Sequence, residues 1–413
     1  MNFISKIKNN KDVVKNQVYN TLNFFITALI ALLTIKIITA KIDPELYGVF
    51  RYVLAVVSLC TLTTITGINK TIGGYVAKGY QGTVKETTIL SFKTGSIGIL
   101  ILLGFGIYSL YQKNNITESI LFITAALYFF PFTIFSRYAS ILAGLEKFKK
   151  ILIYSLIQKI ILFSAAVFVV IILKKGILFY GASQLLLTAI ILIIFYINTI
   201  KQLTNTKIDS GYFKHSLTVS AVGIGSQIIT PGIQLVLNST LGSTALAYYV
   251  IGNRIPTQLA GIVKPLMHPI SIRLAKKGKI EYNSAVIKYL PLTFAMGLLL
   301  YLLLYTGLHY LGPYVISEPY RISLFYAKLL GLFILLSPTY SLLNSNIIFE
   351  KNNKAYATSL YINQAITVSG YILFLSKYGI SAIALTNFVA LLIQTTIMIL
   401  FVFNEIKNIN YDK

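Results

Sequence analysis

Long uninterrupted apolar stretches alternate along this chain with short polar gaps. Each stretch runs about 18–25 residues, enough for a helix rising 1.5 Å per residue to cross a hydrocarbon core of ~30 Å. The pattern predicts spans at 17–39, 49–68, 88–111, 119–143, 151–173, 177–198, 216–240, 245–270, 288–311, 321–348, 355–375 and 379–403. No short alternation of apolar and polar positions occurs, which argues against a membrane barrel. The connecting segments are all short and leave no room for a soluble domain. The expected class is therefore an all-α polytopic membrane protein of about 12 transmembrane helices.

Composition agrees: 56% of the 413 residues are apolar and 12% charged, too little polar surface for a soluble chain of this size. A single cysteine, Cys60, excludes a disulfide framework. The basic start leads into an apolar segment too long for the core of a cleavable signal. The net charge of +24 would suggest nucleic acid in a soluble protein. Here the charges gather in short loops, so they read as topology and anionic-lipid contact, with no nucleic-acid partner expected. Of the 36 Lys and Arg, 23 fall on the side of the N-terminus, counting Lys93 just inside the third span. The opposite side holds Lys36, Lys41, Lys113, Lys174, Lys175, Arg321 and Lys377. This asymmetry places both termini in the cytoplasm, with a multi-pass location in the bacterial inner membrane.

A weak internal repeat appears at an offset of 200. The first span carries a polar stripe at Asn16, Asn20, Asn23, Thr27 and Thr34, spaced as one helix face. The seventh carries Ser216, Ser220, Gly223, Gln227, Pro231 and Gln234. Glu146-Lys147 and Lys150 likewise match Glu350-Lys351 and Lys354 at an offset of 204. A parallel duplication into lobes 1–200 and 201–413 follows, with a cleft between six-helix bundles as a path for alternating access.

The buried charges narrow the chemistry. Lys36, Lys93, Arg51 and Lys328 fall near span ends, where long side chains reach the interface. Arg137, Lys159, Arg254 and Lys264 lie deeper, where a lipid-facing cation costs roughly 2.5–3.5 kcal/mol on insertion scales. Arg254, Gln258, Gly261, Lys264 and His268 recur at steps of three and four, which predicts one continuous polar face on the eighth span. All 12 acidic residues fall in loops or tails by these spans, leaving no carboxylate to neutralise the buried cations. Unpaired positive charge in a low-dielectric cavity attracts an anion, and phosphate or diphosphate suits Arg and Lys donors.

Other chemistries find little support. Asp43-Pro44-Glu45 can supply paired carboxylates to a glycosyltransferase, but it is also an ordinary helix start. His215, His268 and His309 have no ligand spacing, so no metal or other cofactor is expected. Ile72-Gly-Gly-Tyr75 is not a phosphate loop, because the following Lys-Ser/Thr is missing. The abundant Tyr and Phe read as interface belt, although Tyr47, Tyr248 and Tyr249 can stack on sugar rings.

Several segments resemble a family. They are Asp43-Pro-Glu-Leu-Tyr-Gly48-Val-Phe, Thr66-Gly-Ile-Asn-Lys70, Ala143-Gly-Leu-Glu146 and Ala247-Tyr-Tyr-Val-Ile-Gly-Asn-Arg254-Ile-Pro. The chain resembles polysaccharide repeat-unit (O-antigen or capsule, Wzx-type) flippases of the multidrug/oligosaccharidyl-lipid/polysaccharide exporter superfamily. The resemblance implies two pseudo-symmetric six-helix lobes in a V-shaped MATE/MOP-like exporter fold with a cationic central cavity. It also implies translocation of an undecaprenyl-diphosphate-linked oligosaccharide from the cytoplasmic to the periplasmic leaflet, and partnership with other polysaccharide-assembly membrane proteins. On charge and depth, the diphosphate is expected among Arg51, Arg137, Arg254 and Lys264, with Lys159 as a further candidate. Asn20, Asn23, Thr27, Gln227, Gln234, Asn238 and Gln258 supply polar lining. A drug or small-metabolite exporter of the same superfamily is the first alternative, and a membrane polysaccharide polymerase or ligase the second.

Overall fold

The computed structural model describes residues 22, 24–263, 267, 279–349 and 353–411. Asn20, Asn23, Lys264 and His268 lie outside the described residues. Ten helices among the described residues are long and apolar enough to cross a membrane. One of them, Gly223–Ala260, holds parts of two expected spans joined at Gly242, whose φ of 84° and ψ of 170° break the helix. A further 26-residue helix, Asn353–Tyr378, lies where the eleventh span was expected and is outside those ten.

The chain divides into two compact units, Met1–Thr244 and Ala245–Lys413. In the first, α1 (Phe24–Lys41) leads to α2 (Pro44–Cys60), α3 (Gly67–Ala77), α4 (Thr83–Tyr111) and α5 (Ile116–Thr133). After these come α6 (Tyr138–Gly144), α7 (Phe148–Ala166), α8 (Ile177–Ile200) and the first limb of α9 (Tyr212–Ala260). The second unit holds the rest of α9, then α10 (Lys279–Tyr310), α11 (Ile322–Leu330), α12 (Ser337–Phe349), α13 (Asn353–Tyr378) and α14 (Ile380–Tyr411).

Local chemistry explains these boundaries. Asp43 caps α2 by accepting from the Glu45 and Leu46 amides at 2.8 and 3.4 Å, with Pro44 at the first helical position. That is the helix-start reading of Asp-Pro-Glu. Asn115 caps α5 by accepting from the Glu118 amide at 3.0 Å. The Glu118 carboxylate then takes Ser109 at the end of α4 (2.8 Å) and Lys113 (2.9 Å), tying the two helices together. Glu118 thus sits buried in the first turn of α5 rather than in a loop.

The expected fourth span, 119–143, is not one helix. Pro131 lacks the amide an α-helix needs, and α5 ends at Thr133. A 3-10 turn at Phe135–Arg137 then leads into α6. The expected tenth span is interrupted in the same way, by a 3-10 turn at Gly331–Leu335 between α11 and α12.

Each unit has its own core. In the first, Ile72, Tyr75 and Val76 of α3 pack with Tyr138, Ile141 and Leu142 of α6 and with Ile191, Leu192, Phe195 and Tyr196 of α8. In the second, Tyr282 and Val286 of α10 pack with Leu342, Leu343 and Ile347 of α12 and with Met398 and Val402 of α14. The connector after α8 is pinned to the α3–α4 turn. The Gly82 amide donates to Lys207 O (2.8 Å), and Gln81 Oε1 accepts from the Thr204 and Asn205 amides (2.5 and 3.2 Å).

Candidate functional site: a polar stripe and unpaired cations

The stripe Ser216, Ser220, Gly223, Gln227 on the first limb of α9 is positioned by α3, which runs antiparallel to it. The Gly67 amide donates to Ser220 Oγ at 2.7 Å, and Thr71 Oγ1 lies 3.0 Å from Ser216 Oγ. Farther along, Tyr75 OH donates to Tyr212 O at 3.4 Å. This close approach needs glycine at 67, because a Cβ there would land on the Ser216 carbonyl oxygen. Along the same limb Gln227 and Gln234 are half-buried. Asn238 Oδ1 accepts from Ser243 Oγ at 2.8 Å just past the Gly242 break.

The candidate cations have different fates. Arg137 is 2% exposed. Its Nε donates to Asn69 Oδ1 (2.5 Å), Nη1 to Thr87 O (3.2 Å) and Nη2 to Ser91 Oγ (2.7 Å). The break between α5 and α6 carries this guanidinium into the interior of the first unit, where protein groups take its donors. In this conformation three of its N–H donors are engaged within the protein, although Arg137 was expected among the cargo-binding cations. Arg51 differs: it is half-buried on α2, and its Nε is fully buried with no hydrogen-bond partner. Such a donor costs free energy until an acceptor reaches it. Lys159 on α7 and Thr27 on α1 are half-buried and engaged by neighbours, so Lys159 is not a free cation.

In the second unit, Arg254 and Gln258 are half-buried one turn apart on the second limb of α9. Of the continuous face expected from Arg254 to His268, Lys264 and His268 lie outside the described residues. The helix ends at Ala260, and Gly261 and Ile262 form a turn, as suits the poor helix propensity of glycine.

Among the described residues the ion pairs are Lys113–Glu118 (2.9 Å) and Arg321–Glu318 (2.6 Å), both at helix ends. Neither Arg51, Arg137 nor Arg254 has a carboxylate partner among them. Lys328 instead stacks its ammonium 4.5 Å from the Tyr305 ring centroid. No group of three His, Cys, Asp or Glu able to hold a metal comes together among the described residues. Two expected sugar platforms are closed: Tyr47 and Tyr249 are 2% and 5% exposed, core rather than belt or cleft.

Sequence reasoning missed Asn69, Thr87 and Ser91, which hold Arg137, because nothing in the chain order links them to it. It also took Lys70 for a loop charge. Lys70 is part of α3, since the helical path resumes at Gly67 and continues to Ala77.

The profile of the family described as "Polysaccharide biosynthesis protein" matches residues 13–274, more than half of the chain. Comparison with curated proteins at the sequence level gives no match. Among solved structures, an inward-facing multidrug resistance MATE family transporter of the MOP superfamily superposes with a TM-score of 0.68 at 14% identity, over 93% of this chain and 96% of that one. The lipid II flippase MurJ in an inward closed conformation gives 0.68 at 16% identity, over 92% and 87%. An outward-facing MATE transporter gives 0.63 at 14% identity, over 98% and 97%. With its membrane-length helices and this matched profile, the chain belongs to the polysaccharide biosynthesis protein family, a multi-pass membrane protein sharing the fold of those MATE and MurJ structures.

Proposed function

We propose that the protein is a flippase and not an enzyme. It moves an undecaprenyl-diphosphate-linked oligosaccharide repeat unit from the cytoplasmic to the periplasmic leaflet for surface polysaccharide assembly. The observation that carries this reading is the buried, unpartnered Nε of Arg51 in a membrane helix without a carboxylate partner. Arg254 supports it as a second half-buried cation with no described acidic neighbour. Guanidinium forks match phosphoryl oxygens, and the stripe of Gln227 and Gln234 offers hydrogen bonds to sugar hydroxyls. The lipid tail stays in the bilayer while the headgroup crosses. Inward- and outward-facing conformations of the MATE fold neighbours supply the precedent for alternating access. The duplication into halves 1–200 and 201–413, the inner-membrane location and the cytoplasmic termini belong to the same proposal.

Complementation of a deletion strain tests it. R51A and R254A should each lower surface glycan at least about tenfold at normal protein levels, as loss of a charge-assisted contact of about 1.5–3 kcal/mol implies. R51K should recover part of the activity. Lipid-linked single repeat units should accumulate on the cytoplasmic face. Normal export by both alanine variants would sink the reading. The equal likeness to a multidrug MATE transporter favours one second reading, a drug or small-metabolite exporter. Drug sensitivity with intact surface glycan in the deletion strain would select it.

A further inference from the structure

The lysine missed by the sequence pattern stands at an informative place. Asn69 and Lys70 are adjacent on α3 but serve opposite sides. Asn69 binds Arg137 in the interior, whereas Lys70 is exposed and runs its stem along α9 toward Gly223. A point one Cβ bond above Gly223 lies 2.7 Å from Lys70 Nζ and 3.1 Å from Gln227 Nε2. An ammonium and a carboxamide NH2 therefore converge on one spot of the polar stripe. Gly223 permits this approach, since a side chain there would meet the ammonium and make it shift. Gln227 is oriented by donating to Gly223 O at 3.2 Å. Lys70 has no carboxylate within ion-pair distance among the described residues, and no hydrogen bond there occupies its three donors.

We propose that Lys70 and Gln227, held over Gly223, form an anion-binding point for a phosphate or diphosphate group. Resting on the flippase reading, this is a second contact for the cargo headgroup in the first unit, separate from Arg51. The chemistry is that of a point charge with rotatable donors beside a neutral donor, which accepts a phosphoryl oxygen without demanding a fixed fork. Two sources can supply such a group, the diphosphate of the cargo and the headgroup of an anionic membrane lipid.

Binding of inorganic pyrophosphate to the full-length protein in phosphatidylcholine nanodiscs tests the site without any transport. The wild type should bind, and K70Q should weaken the Kd about tenfold or more, equivalent to about 1.4 kcal/mol. K70R should stay within about threefold of wild type. G223A, which leaves every charge in place, should weaken binding less than K70Q, because the exposed ammonium 2.7 Å from the added methyl can shift aside. Nanodiscs containing phosphatidylglycerol separate the sources. A wild-type Kd unchanged by that lipid assigns the site to the cargo diphosphate. A Kd that rises with it, while that of K70Q does not, supports the anion site with a lipid headgroup as occupant. A wild type that binds no pyrophosphate, or K70Q within twofold of wild type, overturns the proposal. Binding that behaves as expected, combined with normal glycan export by K70Q, R51A and R254A, keeps the site and removes the flippase reading.

Discussion

Arg51 and Arg137 are the same residue type in the same unit, and their surroundings leave them in opposite hydrogen-bonding states. Arg137 places all three kinds of guanidinium nitrogen on protein acceptors, so its removal takes the donor from Asn69 Oδ1, Thr87 O and Ser91 Oγ. R137A should destabilise the folded protein by about 3 kcal/mol or more, read as a lowered unfolding midpoint in detergent. R137K should not restore it, because an ammonium cannot span Asn69, Thr87 and Ser91 together. Reduced export by R137A should then track protein level, whereas R51A should lose export at normal level. A third cation, Lys113, lies outside the spans. Burial pulls its pKa down, but the hydrogen bond and charge of Glu118 outweigh that and raise it. A raised amine contributes stability below its unfolded pKa and loses it as pH rises through the folded value. K113A should therefore narrow the thermal-stability gap between neutral pH and pH above about 10.4 relative to wild type.

Helix pairing in the first unit depends on small residues at chosen contacts. Gly67 lets α3 meet the first limb of α9, whereas a Cβ added at Gly74 on the same helix would meet nothing within 4 Å. G67A should therefore cost about 1–3 kcal/mol by forcing the helices apart. G74A should be neutral or gain up to about 1 kcal/mol through helix propensity. Comparing the two unfolding midpoints checks the pairing. The existence of most elements was legible in the chain, since any segment crossing a bilayer must be long, apolar and internally hydrogen-bonded. Their interruptions were less so. The hydrophobic run through 119–143 conceals the break after Thr133, although Pro131 was a visible signal. The run through 245–270 similarly conceals the end at Ala260, with Gly261 as the cue.

At the scale of the whole molecule, the division between units at Thr244 leaves the first limb of α9 with the first unit, although the repeat would place it in the second half. The bonds from α3 and the pinned connector give the physical reason. Orientation can be checked in a Cys60→Ala background, since Cys60 is the lone cysteine. In spheroplasts a membrane-impermeant maleimide should label K175C directly and K207C only after permeabilisation; the reverse pattern would invert the topology. What the sequence by itself determined is the membrane class and the approximate spans, because these depend on composition and near-neighbour spacing. It wrongly left every acid in loops or tails, whereas Glu86, Glu118, Glu281 and Glu405 belong to membrane-length helices. Only the tertiary structure decided which cations are available. Arg137 is satisfied by partners 68, 50 and 46 residues away, Arg51 keeps an unpaired nitrogen, and Lys70 reaches a stripe far along the chain. A charge is free or engaged according to the groups folding brings within hydrogen-bond reach, and local sequence carries no measure of that distance.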